Sequence, residues 1–227
     1  MTKPITAPPE WRRRAGLAPA RSFPPIEDVA QLIQRQDAGG GWPGQSGRAE
    51  LSSTALAGWA CLEGDRPDAA ARAAQFCGRL TWEQPDDVLG ILVGWDDGHP
   101  AEPLVRAHTP GQRFGDVAAG ALFLCLFFEE TGDDDALDAA VELHDVVVAL
   151  GEEVWDPRHL LVGWAGAALY RVTGEDAFLA TAERMADLLC ETQRPDGAWG
   201  DDEVDEMAGA ALTAMADAVE ARQEVGE

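Results

Sequence analysis

The feature that most constrains this chain is a helical hairpin that recurs along it. Residues 162–200 read VGWAGAALYRVTGEDAFLATAERMADLLCETQRPDGAWG. A small, apolar stretch from Gly163 to Val172 turns at Thr173-Gly174-Glu175-Asp176, enters an amphipathic stretch to Thr192, and ends in a loop with a Gln, a turn and a Trp. In the amphipathic stretch Phe178, Leu179, Ala182, Met185, Ala186 and Leu189 recur at three- and four-residue steps, which lines one helix face, while Glu183, Arg184 and Asp187 fall opposite. The first stretch is apolar nearly all round, the pattern of a helix buried on both sides. Pairing the two implies an inner and an outer layer of helices.

The rest of the chain repeats this unit imperfectly, with a period of roughly forty residues, in the range of helical-repeat architectures. Ile26 to Gln36 predicts a first helix, stopped by the glycines and proline of Asp37-Ala38-Gly39-Gly40-Gly41-Trp42-Pro43-Gly44. Leu51 to Cys61 predicts an inner helix, with Ser52 or Ser53 as its cap, and Arg66 to Leu80 its outer partner. Gly64-Asp65 holds the place that Gly132-Asp133 and Gly174-Glu175 hold later, a glycine ending one helix before an acidic cap for the next. Trp82-Glu83-Gln84-Pro85 followed by Leu92 to Trp95 echoes Trp155-Asp156-Pro157 followed by Leu161 to Trp164, and predicts a tryptophan loop leading into an inner helix in each case. Phe114 to Glu130, Asp133 to Leu150 and Asp205 to Ala221 supply further helices, for about nine in all. Asp96 to Arg113 lacks any apolar period and reads as a long loop, either a binding lid or a passive insertion.

Composition narrows the function. A formal charge of −24 leaves nothing basic to neutralise phosphates, so neither nucleic acid nor an anionic membrane is the expected partner. The one basic cluster, Arg12-Arg13-Arg14, lies in a Pro-rich start without pattern, so residues 1–24 read as a mobile N-terminal arm and 25–227 as a single domain. No apolar run is long enough to span a bilayer and no signal peptide core is present, which places the chain in the cytoplasm. Cys61, Cys77, Cys125 and Cys190 sit in helical apolar patterns without CxxC or Cys/His spacing, and read as buried thiols; no metal and no cofactor is expected.

Gln34 to Trp42 and Gln193 to Trp199 (QRPDGAW) resemble the QW motif of the terpene cyclase and prenyltransferase superfamily. That resemblance implies an all-α fold, an α/α toroid of concentric helices round an apolar cavity, here incomplete or small. In such a motif the Gln amide bonds backbone groups at helix ends and the Trp ring covers them, a structural role. The phrases LYRVTGEDAFLATAERMAD and QRPDGAW are also similar to sugar-acting α/α barrels, among them epimerases and unsaturated glucuronyl hydrolases.

The fold so implied puts ligands among the inner helices and the loops entering them. Asp205 and Glu206, after the second QW-like loop, read either as a shared-carboxylate acid or as acidic residues at a helix N-terminus. His159 reads as an acid or base with Asp116 as partner, or as a structural hydrogen-bonding group. Trp59, Trp95, Phe123, Phe127, Trp164 and Tyr170 on predicted inner helices either line a substrate cavity or simply pack. Asp97, His99 and His108 would bind substrate from the irregular loop. Ser53, Thr54, Asp86, Asp87 and Arg158 are also within reach of the cavity, and Asp133-Asp134-Asp135 reads as a solvated cap.

These signals imply a small-molecule enzyme, possible as a homodimer, performing acid/base-assisted cyclisation or isomerisation of a terpene- or polyketide-like substrate. The alternatives are a sugar epimerase or hydrolase on the same fold, and a non-catalytic helical-repeat binding module.

Overall fold

Residues 8–18, 29–44, 47, 49–82, 90–92, 95–96, 99–100, 103–106, 114–149, 151 and 155–225 are described by a computed structural model. They form helices α1 (Pro8–Ala15), α2 (Val29–Gln34), α3 (Leu51–Glu63), α4 (Pro67–Arg79), α5 (Phe114–Thr131), α6 (Asp134–Ala149), α7 (Leu160–Thr173), α8 (Asp176–Thr192) and α9 (Asp202–Val225). A short 3-10 turn, Pro157–His159, leads into α7. Contacts divide the chain into two units, Pro24–Val154 and a second made of Met1–Phe23 with Trp155–Glu227. The sequence predicts a single domain over 25–227.

In the unit 24–154, α3 and α5 pack on each other, and each has its own outer partner, α4 and α6. Glycine makes the close approach possible. A Cβ on Gly58 of α3 would lie 2.4 Å from Cζ of Phe123 on α5 and 2.9 Å from Cβ of Ala73 on α4. Such a contact is well inside van der Waals distance, so any larger residue would drive three helices apart.

The other unit is built alike. Helix α7 packs on α8 and α9, and α1 packs on α9 and, less extensively, on α8. A Cβ on Gly163 of α7 would stand 2.4 Å from Cβ of Met185 on α8 and 3.0 Å from Sδ of Met215 on α9. The inner helices α3, α5 and α7 are the small-residue, apolar segments of the sequence.

The N-terminal segment departs from the expected mobile arm. Residues 8–15 are helical, and Trp11, fully buried, donates from Nε1 to Oδ1 of Asp187 at 3.3 Å. Arg12 pairs with Asp217 and Glu220 of α9. Trp11 is buried without a periodic apolar context around it, which is why no apolar pattern betrays the docking.

Two of the three expected Gly turns are superimposable in their bonding. Thr131 Oγ1 donates to the Phe127 carbonyl at 2.7 Å and accepts from the Asp133 N–H, and Thr173 Oγ1 does the same with Leu169 and Glu175. Gly132 and Gly174 hold φ near +72° and +73°. In the first copy the left-handed residue is Asp65 (φ 55°) rather than Gly64, a conformation an aspartate tolerates better than most.

Of the segment expected to form an inner helix around Leu92 to Trp95, the described residues Leu92 and Trp95 lie instead in extended strands. Strands β1 (Thr81–Trp82), β2 (Gly90–Leu92) and β5 (Pro103–Arg106) form an antiparallel sheet in the order β1-β2-β5, and β3 (Trp95–Asp96) pairs with β4 (His99–Pro100). Gly90, Gly94, Gly98, Pro100 and Pro103 within fourteen residues of one another explain the loss of helix, since each weakens or blocks it. Among the described residues no helix is long and apolar enough to cross a membrane.

Candidate functional site

Each unit carries one Gln–Trp loop, and the two loops make the same bonds. Gln36 donates from Nε2 to the Gly40 carbonyl at 3.0 Å, and Gln193 to the Gly197 carbonyl at 2.8 Å. Trp42 donates from Nε1 to the Leu32 carbonyl at 2.8 Å, and Trp199 to the Leu189 carbonyl at 3.0 Å. The motif glutamine of the first copy is therefore Gln36, six residues before its Trp as in the second copy, and not Gln34. In both loops the Trp satisfies a carbonyl in the last turns of the preceding helix and the Gln ties the loop's own glycine carbonyl, a structural role like the one expected of them.

The loop is then tied to the next inner helix. The Trp42 N–H donates to Oγ1 of Thr54 at 2.9 Å, and the Trp199 N–H to Oδ1 of Asp205. Asp205 is buried, and one carboxylate oxygen is engaged in holding this loop. Asp201, not Asp205, caps α9 through the Val204 N–H at 3.3 Å. Glu206 lies about 100° further round the helix, in the groove between α1 and α9 with Arg12, Ala15 and Asp217. Asp205 and Glu206 thus face different surroundings and do not form the shared-carboxylate pair expected from the sequence.

The entry to α7 gathers several polar groups. Asp156 accepts from the Arg158 N–H at 2.9 Å and from the Arg158 guanidinium. His159 Nδ1 accepts from the Asp156 N–H at 2.9 Å, completing a reciprocal cap. In the neutral ring this puts the proton on Nε2. Burial lowers the His159 pKa, and the opposing charge of Asp156 only partly offsets it. Partial burial pushes the Asp156 carboxyl up, but the hydrogen bonds from the Arg158 side chain and backbone outweigh it and hold it below its ordinary value. The 3-10 turn packs against α7, α8 and α9, and Asp201 contributes to the field at Arg158. The entry to α7 therefore carries a polar cluster of Asp156, Arg158 and His159, with the start of α9 packed beside it. It contains an ionised carboxylate, a guanidinium and a neutral imidazole whose Nδ1 lone pair is committed to the cap, a set suited to hydrogen-bonding a polyhydroxylated ligand.

The expected aromatic lining is largely core. Phe123 and Phe127 are buried on α5 with ring centroids 6.3 Å apart, and Phe123 fills the space over Gly58. Trp59 is 7% exposed and its Nε1 donates to Glu63 at 3.3 Å. Trp164 is also buried, and Tyr170 is half-buried toward the end of α7. Packing thus claims most of these rings, because the inner helices approach too closely to leave them free. Asp86, Asp87, Asp97 and His108 lie outside the described residues, as do the side chains of Trp95, His99 and Asp116, whose backbones lie in β3, β4 and α5. Asp133 accepts from the Ala136 N–H and caps α6 as expected. Among the described residues no group of three or more His, Cys, Asp or Glu is placed to hold a metal ion.

Trp155 and Asp156 carry no pattern in the sequence that marks them as site residues. Asp156 was legible as an Asp-Pro cap, whereas the significance of Trp155 is in its burial, which no local pattern signals. Glu50 is another such residue, a buried carboxylate before α3 packed so closely under Gly44 that a Cβ there would stand 2.0 Å from its Oε2.

No protein-family model matches the chain and no curated protein matches it. Among solved structures it is similar to UGL, an unsaturated glucuronyl hydrolase variant, in a structure with dGlcA-Glc-Rha-Glc. That likeness has a TM-score of 0.58 at 15% identity, over 82% of this chain and 66% of the other, so the chain spans just under two thirds of its length. A family 76 glycoside hydrolase from a bovine Bacteroides thetaiotaomicron strain is similar at TM-score 0.46 and 14% identity, over 78% and 44% of the two chains. The fold is that of the α/α-toroid class.

Proposed function

We propose that this protein binds and processes a carbohydrate, at the polar cluster where α7 begins. The observation that carries this reading is the likeness over 82% of the chain to an α/α barrel holding an oligosaccharide. The chemistry of the cluster supports it. Asp156, ionised, accepts from sugar hydroxyls, and Arg158, exposed, offers guanidinium donors. The terpene-like reading has less behind it, because the rings it needs, Phe123 and Phe127, are spent on packing.

The overall charge of −24 opposes anionic ligands at long range, so a neutral glycan suffers no such penalty and a uronate relies on Arg158. Calorimetry of the full chain with dGlcA-Glc-Rha-Glc and with its neutral trisaccharide Glc-Rha-Glc, followed by mass spectrometry of the products, tests the reading. Binding of either that Asp156→Ala weakens supports it. Absence of binding by both, at salt low and high, sinks it.

A further inference from the structure

Helix α1 and the polar cluster at the entry to α7 lie in the same unit, and the chain from Gln193 to Asp201 connects them. At its start the buried Gln193 gives its two amide protons to two carbonyls, that of Arg14 in α1 at 3.0 Å and that of Gly197 at 2.8 Å. The planar amide fixes both directions, so α1 sets where Gly197 sits. Gly197 lies flush against the end of α1, where a Cβ would stand 1.9 Å from the Leu17 carbonyl oxygen.

The residues that follow have little slack. The Ala198 carbonyl accepts from the Arg194 N–H at 2.9 Å, and its N–H donates to Asp196 at 3.2 Å. Trp199 is tied by its N–H to Asp205 and by Nε1 to the Leu189 carbonyl, and Asp201 caps α9 through the Val204 N–H. The charge of Asp201 is felt at Arg158, and the turn that carries Asp156, Arg158 and His159 packs on α8 and α9, the two helices this loop joins. Helix α1 itself is held by few groups. Trp11 is its buried anchor, and Arg12 pairs with Asp217 and Glu220 at the surface. A helix of eight residues is not stable alone in water, so α1 has two states, docked and helical or released and unfolded.

We propose that α1 is a positioning element of the candidate site: docked, it holds the loop from Gln193 to Asp201 against the surroundings of Arg158, and released, it lets that loop relax. The ligand half of this rests on the carbohydrate reading of the same site. Saccharide binding and the docking of α1 then strengthen each other by the same factor.

The test uses the full chain with Arg12→Glu, which repels Asp217 and Glu220 from an exposed position, and with Trp11→Ala, which empties the anchor. Amide hydrogen exchange of residues 8–15 reports release of the helix. The side-chain N–H signals of Arg158, Trp199 and Trp42 in NMR spectra report the loop, and Trp42, in the other unit, is the control. Release should shift the Arg158 and Trp199 signals and leave that of Trp42 in place. Affinity for dGlcA-Glc-Rha-Glc or Glc-Rha-Glc should weaken roughly fivefold or more, and either saccharide should slow exchange in α1 of the wild type. A released helix with Arg158 and Trp199 signals unmoved, or with saccharide affinity unchanged, overturns the proposal. A helix that stays docked in both variants overturns it too, because an element without a second state positions nothing reversibly. Shifted signals in a protein that binds neither saccharide overturn the carbohydrate reading and leave the hold of α1 on the loop standing.

Discussion

The guanidinium of Arg72 donates from Nε to Oε1 of Gln36 at 3.0 Å. The corresponding glutamine of the second loop, Gln193, has a buried Oε1 with no donor. The place of Arg72 is taken there by Leu17. A Cβ on Gly40 would lie 2.3 Å from the Arg72 carbonyl oxygen and 3.1 Å from its Cβ, and one on Gly197 would lie 1.9 Å and 3.2 Å from the same atoms of Leu17. The two side chains therefore leave the backbone in the same direction relative to their loops. Leu17 is 48% exposed, so its side chain is free to be exchanged. Leu17→Arg should supply the missing donor and stabilise the protein by about 1 kcal/mol. Leu17→Lys, lacking the planar fork, should gain less. Urea unfolding of the three proteins checks this, and an Arg variant no more stable than wild type would remove the equivalence.

Helix α1 stands to α9 much as α4 stands to α3. Gln36 donates to the Ala69 carbonyl in α4, and Gln193 to the Arg14 carbonyl in α1, three residues before Arg72 and Leu17 respectively. The N-terminal helix thus serves as the outer helix that the last inner helix otherwise lacks. Trp11 is its anchor. Trp11→Ala should cost about 3–5 kcal/mol, the usual penalty for emptying a fully buried aromatic site, and removing residues 1–18 should cost at least as much. If thermal unfolding of Trp11→Ala matches wild type, the helix is not docked in solution.

His144 lies on α6, 2% exposed, and burial pushes its pKa down to about 4. The unfolded chain binds its proton near the ordinary value of about 6.5. Between these values the unfolded state holds more protons, so stability falls as the pH drops through about 6.5 and levels off below about 4. The loss at the acid limit is on the order of 3 kcal/mol. His144→Leu should abolish this share of the pH dependence, so the variant gains on wild type between about pH 7.5 and pH 4.5 in paired urea titrations. A constant difference between the two proteins across that range would show that His144 is not buried neutral.

How far the sequence reveals all this depends on the range of the interaction. The helices α3, α5, α7 and α8 are legible because their burial is written in period and residue size. Gly174 and the Gln193 to Trp199 loop are legible because a left-handed glycine and a helix-end carbonyl are local demands. The docking of Trp11 and the burial of Trp155 are long-range facts, and the use of Asp205, though its bond to Trp199 spans only six residues, is hidden by the acidic residues around it. A Trp in a proline-rich start and an Asp in an acidic run look the same whether they are buried or solvated. The failure at Leu92 to Trp95 has a different cause. There the echo of Trp155 to Trp164 matched in residue type, but the glycines and prolines interspersed through the segment overrule helix propensity.

Thr54 and Asp205 occupy the same structural office, each accepting the backbone N–H of a motif Trp, and this separates structure from chemistry at Asp205. Thr54 is fully buried, so Thr54→Val, equal in shape but without the acceptor, leaves the Trp42 N–H unmade and should cost about 1–3 kcal/mol, while Thr54→Ser should cost less. Asp205→Asn keeps an acceptor oxygen and removes the titrating proton. If Asp205 acts only as a tie, Asp205→Asn keeps near-wild-type stability and whatever product formation the wild type shows under the proposed function, and Asp205→Ala loses stability as Thr54→Val does. If it is instead the acid of a reaction, Asp205→Asn loses turnover with its fold intact, since an amide cannot donate the proton a carboxylic acid would. The bond from the Trp199 N–H favours the first outcome, because it assigns one carboxylate oxygen to the loop before any substrate arrives. Product formation by Asp205→Asn, measured beside its urea midpoint, decides between them.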